Sequence, residues 1–578
     1  MSKTPNYDTA VAKILAELKP GERVCALTDE KWLMDEEEIA MYKKFNVPPS
    51  KYSPLSRMKL INAYFQIFDF WYNKHAVTGK PVISTVHPAT GIRVLPDDEW
   101  YAKDFSEIFV ELNQQQSFFD QLYKLSRAVP RAAGYNSVRP ERSLAFISFG
   151  DEDSYFVLAC RSKRTFASIS AYDVEDSAEI NAANVVQNSY NIVHSDRIFN
   201  GKFIRESYDC LNSAFLFDCR NCECCFGATN QRNKKYLFFN VQLSKEEWEN
   251  KVAAIDLTSF TVRLEYEKKF RDLVATAVWP ESFNVKIQNC SGEYLTDCNN
   301  VRESYLVSGG SNSVYANYCF GRTEDLYFVS GAVNGSECYY GLGFHSTTKS
   351  KFALSVDQDC LNCEYCESCY NCTDCFGCVG LRHKQFCILN KQYSEEEYWR
   401  ILDGLKCIML ERGEYGDLTP AFFTTVHWDG SGAALVYGLN KEEAGPFSPA
   451  LFAASDENAE GPPLEPGRLQ KLTTLPDRFN DDVLTTLSGI PFLDEQMGRR
   501  FSYLSAELAL YKKLGIAPSR RHPTGRIHDL YKEMNKPIFF DSACYNCKKT
   551  IRTAKNIAYP DRKIYCQACY LKYLEENN

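Results

Sequence analysis

The sequence predicts a mainly β chain with helical elements. A parallel β-solenoid in two lobes is flanked by an α-rich N-terminal region and a small cysteine-bounded ribbon at the C-terminus. Three observations carry this: the clustering of the 24 cysteines in a 578-residue chain, an internal repeat built around them, and two tight CxxC pairs near the end. The remaining composition is that of a globular protein, 44% hydrophobic and 14% aromatic with a net charge of −9, which argues against global disorder. No stretch approaches the length of a membrane span, and MSKTPNYDTAVAKILAELKP lacks a signal-peptide core, so a cytoplasmic protein with reduced thiols is expected.

The lobes come first. DCLNSAFLFDCRNCECCFGATNQRNKKYLFFNVQLSKEEW from Asp209 aligns without a gap with DCLNCEYCESCYNCTDCFGCVGLRHKQFCILNKQYSEEEY from Asp359, and 17 of 40 pairs are identical. Each copy closes on a helix-start signal, Ser244 or Ser394 followed by Glu-rich turns. Within the second lobe, YLVSGGSNSVYANYCFG from Tyr305 matches YFVSGAVNGSECYYGLG from Tyr327, which suggests stacked coils with a period near 22. Solenoid lobes over 136–243 and 283–393 are expected, closed by helices in 244–275 and 394–412.

In chain order the domains read as an α-rich region at 1–135, a first lobe with its closing helix at 136–255, a second lobe with a Cys ladder and closing helix at 256–412, an irregular linker at 413–498, a helical module at 499–540 and the ribbon at 541–578. The module at 499–540 repeats one near the N-terminus: EIAMYKKFNVPPSKYSPLSRM from Glu38 aligns with ELALYKKLGIAPSRRHPTGRI from Glu507.

At the ribbon, Cys544, Cys547, Cys566 and Cys569 form two CxxC pairs with the spacing of a structural zinc site. Four thiolates complete a tetrahedral shell and leave no open position for catalysis, so one structural zinc ion is expected. The ladder Cys360, Cys363, Cys366, Cys369, Cys372, Cys375 and Cys378 repeats every third residue, which is the pattern of an extra metal site, iron–sulfur or multi-zinc. The other lobe places Ser213, Leu216 and Ala228 where this one has Cys363, Cys366 and Cys378, so buried packing is the preferred reading. No catalytic residue emerges: Asp357 with Asp359, and His345 beside Ser346 and Thr347, define no acid–base or nucleophile pair by spacing.

Residues 499–578 hold 16 Lys+Arg against 7 Asp+Glu, a local +9 and hence −18 elsewhere. Arg520, Arg521, Arg526, Lys548, Lys549, Arg552, Lys555, Arg562 and Lys563 are interleaved with tyrosines, a pattern suited to RNA or single strands. A basic face docked on the chain's own acidic body is the equal alternative. The modules at Glu38 and Glu507 resemble, in degenerate form, the probable zinc-ribbon (treble-clef) family, in which a CxxC precedes an E…FY helix and a PxRCPxCR segment follows. The first copy keeps Cys25, with Thr28, Ser53 and Ser56 near the other ligand positions; the second has His522 and no cysteine. The whole chain resembles large uncharacterised Cys-rich zinc-ribbon proteins of environmental bacteria, a resemblance that implies architecture and no activity. The expected function is a non-enzymatic zinc-stabilised β-solenoid scaffold contacting a macromolecular partner, protein or nucleic acid. A metal or redox protein using the Cys ladder and a β-helix enzyme acting on polysaccharide are the alternatives.

Overall fold

Parallel strands whose partners lie a fixed distance apart in sequence organise the middle of the chain. A computed structural model describes residues 2–65, 69–324, 339, 341, 351, 359–448 and 459–578. In the first lobe Tyr190 pairs with Lys202, Lys202 with Ala214, and Ala214 with Phe226, each in parallel and each twelve residues on. These strands belong to an 11-stranded mixed sheet. The second lobe repeats the offset, with Gly292 on Ser304, Tyr305 on Asn317 and Thr373 on Gln385.

The geometry within each twelve is a three-residue rhythm. Left-handed φ recurs at every third residue from Arg164 through Asp173, Glu179, Asn188, Asn200 and Asp209 to Cys224. A left-handed residue with a Cβ costs roughly 1–2 kcal/mol, least for Asn and Asp, so the bends must be stabilised by what they bring together. Another third of the residues points inward and is buried: Ser177, Ile180, Ala183, Val186, Ser189, Ile192, Ser195, Ile198, Ile204, Ser207 and Cys210. The interior is narrow enough to demand glycine at Gly201, where a Cβ would lie 2.4 Å from Ile198 Cγ2 and 2.7 Å from Ile204 Cδ1.

Serine serves inside because its hydroxyl satisfies backbone that no strand partner reaches. Ser189, Ser195 and Ser207 each accept the N–H twelve residues on, from Gly201, Ser207 and Cys219, at 3.0 Å, and each donates to the carbonyl two residues back. Cysteine takes the same seat, with Cys219 Sγ 3.6 Å from the Phe217 carbonyl and 3.5 Å from that of Ala228. The period expected near 22 is therefore corrected to twelve, which at three residues per bend makes four sides. The copy from Tyr327 lies outside the described residues.

Both lobes end alike. Asn240 Oδ1 accepts the Thr229 N–H at 2.9 Å, and Asn390 Oδ1 accepts that of Val379 at 2.8 Å. The chain then turns into an antiparallel pair, Phe238 on Val241 and Ile388 on Lys391, and starts a helix through a full capping box, Ser244 with Glu247 and Ser394 with Glu397. The helix Glu395–Glu411 buries Tyr398, Leu402, Leu405 and Met409, whereas Lys245–Ala253 buries none. On the first lobe the next helix, Phe260–Thr276, does the covering, with Phe270 5.7 Å from Phe215.

Among the described residues helix and strand are close to balanced, 29% and 32%, so the expected β content with helical elements is present in part and the class is a mix of the two. Residues 413–498 read as an irregular linker or a surface-wrapping segment, and the described part of them follows the second. It contains the helices Gly432–Tyr437 and Asp481–Leu487, and it buries Phe423, Tyr437 and Phe447 against the body. Its last strand, Pro491–Asp494, pairs antiparallel with Arg499–Ser502, so the module placed at 499–540 starts at 491. The ribbon likewise begins before 541, with the strand Lys536–Ala543 paired to Thr550–Lys555. Among the described residues no helix is long and apolar enough to cross a membrane.

Candidate metal centre

The last hairpin turns at Cys544 and Cys547, and Cys566 is the N-cap of the helix Gln567–Asn577 with Cys569 in its first turn. The four sulfurs lie within 4.8 Å of one another, so they could hold one metal ion. Backbone and one side chain orient them: the Cys566 N–H donates to Cys544 Sγ at 3.2 Å, and the Asn546 side-chain Nδ2 donates to Cys569 Sγ at 3.4 Å. Burial pushes the Cys544 thiol up, but the N–H groups of Cys566, Cys547 and Asn546 outweigh it and hold the thiol down at about 6. The donor set, four soft thiolates on two knuckles, fits zinc.

The hairpin around Cys544 occurs four times among the described residues. The residue before the first ligand position pairs with the residue seven on: Val24 with Lys31, Lys74 with Pro81, Leu493 with Arg500 and Ala543 with Thr550. The fourth residue after that position is left-handed each time, at Asp29, Gly79, Gly498 and Lys548. A helical turn then starts at a polar N-cap: Ser53, His87, His522 and Cys566. The sequence reading identified the copies at Cys25 and His522 and missed the one at His75. Its signal was present in HAVTGKPVIS, fifty residues after CALTDEKWLM.

Where thiolates are missing, hydrogen bonds occupy the same seats. In the first copy, burial pushes the Cys25 thiol up, yet hydrogen bonds from the Ser56 and Thr28 side chains and from the backbone at Ser53 and Leu27 hold it below its usual value. Thr28 Oγ1 and Ser56 Oγ are 3.2 Å apart. In the copy at Asp494, Oδ1 accepts the N–H groups of Gln496 and Met497 at 3.0 and 3.3 Å, and Oδ2 accepts that of His522 at 2.9 Å. This is the N–H pattern received by Cys544, with a carboxylate in place of sulfur. Gly525 stands opposite, and a Cβ there would meet Met497 Sδ at 2.8 Å. At His75, Nδ1 accepts from Val77 and Thr78 at 3.1 and 3.2 Å.

The two helical modules share a further device. Arg57 and Glu38 form a buried ion pair beside the Tyr42 hydroxyl, and Arg526 and Glu507 form one beside Tyr511.

The nine basic residues assigned to nucleic-acid contact divide. Arg526 is buried on Glu507; Arg562 is buried with Nη2 on the Ala554 carbonyl; Arg521 pairs with Asp494 and Asp529; Arg552 pairs with Glu303 of the second lobe. Arg520 donates to the Pro476 carbonyl at 2.8 Å and packs over Phe260. Lys548, Lys549 and Lys555 are exposed and Lys563 is half-buried. Around them Tyr545 and Tyr565 stack, with centroids 6.1 Å apart and planes 10° apart, and Lys548 Nζ and Lys563 Nζ lie 5.2 and 5.8 Å from the Tyr545 ring centroid. Of the nine, Arg552 alone among the described residues pairs with a carboxylate of the lobes, whereas the others that are held are held within their own modules or on a carbonyl; the ribbon also docks through Tyr570, which donates to Asp218, and the Gln567 N–H, which donates to Glu281.

The seven ladder cysteines, Cys360 to Cys378, are all buried, and their thiols are directed at carbonyls: Cys363 at Leu361 and Cys372, Cys366 at Glu364 and Cys375, Cys369 at Glu367 and Cys378. Burial raises the Cys369 thiol well above its ordinary value. Among the described residues the C-terminal quartet is the one group of three or more ligating side chains that closes to metal distance. Asp359 is a left-handed bend residue, whereas His345, Ser346, Thr347 and Asp357 lie outside the described residues. Compared with protein-family models, curated proteins and solved structures, the chain has no match.

Proposed function

We propose that the chain is a non-enzymatic, zinc-stabilised scaffold whose two lobes are parallel β-solenoids and whose C-terminal module contacts RNA or another single strand. The Tyr545–Tyr565 stack carries this reading. Tyr545 is 53% exposed, flanked by Lys548 and Lys563, and built on the turn that holds the four thiols. Bases stack on aromatic faces without regard to sequence while neighbouring cations meet the phosphates. Zinc at Cys544, Cys547, Cys566 and Cys569 fixes the platform, since a four-thiolate site of this kind is structural. The hairpins at Cys25, His75 and Asp494 are read as metal-free relatives of the same module, and the Cys ladder as packing. A reducing, cytoplasmic setting suits both.

Fluorescence anisotropy with a labelled oligouridine tests this proposal. Wild-type binding is expected to weaken linearly in log–log terms as salt rises. Y545A is expected to lose about 1–3 kcal/mol of binding. K548A/K549A/K563A is expected to flatten the salt slope, and R552A to leave it unchanged. Binding that persists in Y545A and in the triple-lysine variant, or no binding at low salt, would reject the role.

A further inference from the structure

A second site lies away from the metal module, where the helices Phe260–Thr276 and Pro523–Glu533 meet the side of the first lobe. They enclose a cavity of about 360 Å³, within the range of roughly 300–1,000 Å³ usual for small-molecule pockets. Its floor is a column of bend residues one coil apart, Glu179, Asn191 and Phe203. Glu179 is held from one side only: Oε2 accepts from Asn191 Nδ2 at 2.8 Å, while Oε1 is buried without a hydrogen-bond partner. Glu179 is 3% exposed, so this orphan acceptor receives little help from bulk water.

The wall is unusually rich in arginine. Six arginines line it, and four are neutralised by carboxylates: Arg205 by Glu533, Arg263 by Glu267, Arg521 by Asp529 and Arg526 by Glu507. Arg271 and Arg520 have no carboxylate within ion-pair distance among the described residues. Arg520 Nε and Arg526 Nη2 are also buried donors without a partner. Arg271 and Arg520 are thus the wall's cations that meet no carboxylate at ion-pair distance, and Glu179 is a carboxylate that meets no cation there. Unpaired buried polar groups are costly enough that each calls for an explanation, and residues lining this cavity hold five, with Arg263 Nε and Glu267 Oε1 of the ion pair included.

We infer that this cavity binds a small organic carboxylate that also bears an amino or hydroxyl group. The carboxylate would answer Arg271 and Arg520, and the donor would answer Glu179 Oε1. The inference is independent of the nucleic-acid reading.

Isothermal titration of the full-length protein with matched pairs tests it: L-glutamate against glutarate, and L-malate against succinate, with inorganic phosphate as a further probe. The donor-bearing member of at least one pair is expected to bind saturably and at least tenfold more tightly than its partner. R271A/R520A is expected to weaken that binding at least tenfold, with R271K/R520K keeping part of it. E179Q is expected to erase the preference within the pair. The site would be overturned by no saturable binding of any probe, by equal binding within both pairs or a preference for phosphate, or by binding unchanged in both R271A/R520A and E179Q. Circular dichroism of each variant separates loss of binding from loss of fold.

Discussion

The module at Cys544 and the module at Asp494 share one hairpin, one left-handed turn residue and one helix start, yet they are held by different chemistry. In the first, four sulfurs converge to metal distance and backbone N–H groups point at them. In the second, a carboxylate accepts the same N–H groups and Met497 and Gly525 fill the remaining space. The difference teaches that the backbone of this module does not require the metal once something else accepts those N–H groups and the module has neighbours to pack on. The Asp494 copy has them: its helix buries Ile527, Leu530 and Tyr531 in the main core. The Cys544 copy has a small cluster of its own, Cys544, Ile551, Ile564 and Cys566, so a metal on its four thiols would supply what packing does not.

The largest expected effect follows from that contrast. C544S should release the metal and unfold the C-terminal module while the lobes stay folded, because structural zinc contributes roughly 10–16 kcal/mol in small modules. Hydrogen exchange would show lost protection confined to residues from about 536 onward. Global unfolding, or retained metal, would break the comparison.

Next comes the buried pair that the helical modules share. R526A leaves Glu507, 2% exposed, without its cation. Removing one partner of such a pair costs about 3–5 kcal/mol. Denaturant unfolding should show a loss of that order for R526A and for R57A, where Glu38 is left behind. A loss below about 1 kcal/mol, typical of exposed pairs, would show that the triad is not what holds these modules.

A pH effect is expected where the lobes meet. Burial pushes the Glu293 carboxyl up to about 7, above its unfolded value of 4.5. A group raised on folding contributes stability that is complete below the unfolded value and lost as pH rises through the folded one. Stability should therefore decline between pH 4.5 and 7 through this residue. E293Q, which stays neutral, should match wild type near pH 4.5 and exceed it increasingly toward pH 7. A constant difference across that range would assign the slope to other groups.

The smallest effect belongs to the ladder. C363S and C366L copy Ser213 and Leu216, the residues that hold the matching seats in the first lobe. C363S, close to cysteine in volume, is expected to cost less than about 1.5 kcal/mol and C366L, which adds methylenes to a packed seat, about 1–3 kcal/mol, and both are expected to leave metal content unchanged. Loss of metal from either variant would move the ladder from packing to chemistry.

Much of this was legible in the sequence, and the reasons are specific. The offset of 150 revealed two lobes and their Asn240/Asn390 and Ser244/Ser394 closures because capping and hairpin chemistry constrain residue type strongly. The CxxC pairs were legible because coordination fixes spacing. The twelve-residue coil was hidden because its signal is a period of three, which matches neither helix nor strand alternation, and its inward seats accept Ile, Val, Ala, Ser, Cys or Gly alike. Cysteine at every third residue was that period seen at one place. The module at His75 was missed because it kept the turn and lost every thiol. The roles of Arg526 and Arg562 were misread because a count of charge cannot separate a buried cation with a partner from an exposed one.

Metal content per chain, measured on freshly purified native protein and on T28C/S53C/S56C, tests the central contrast most directly. The triple variant places four cysteines, with Cys25, at the converging seats of a hairpin whose turn matches that of the Cys544 module. About one zinc per native chain and about two per variant chain are expected, since each four-thiolate set closes one tetrahedral site. Iron, inorganic sulfide or several metals in the native protein would contradict the division of its cysteines into one metal site and a packed ladder. A folded variant that stays at one zinc would contradict the equivalence of the modules.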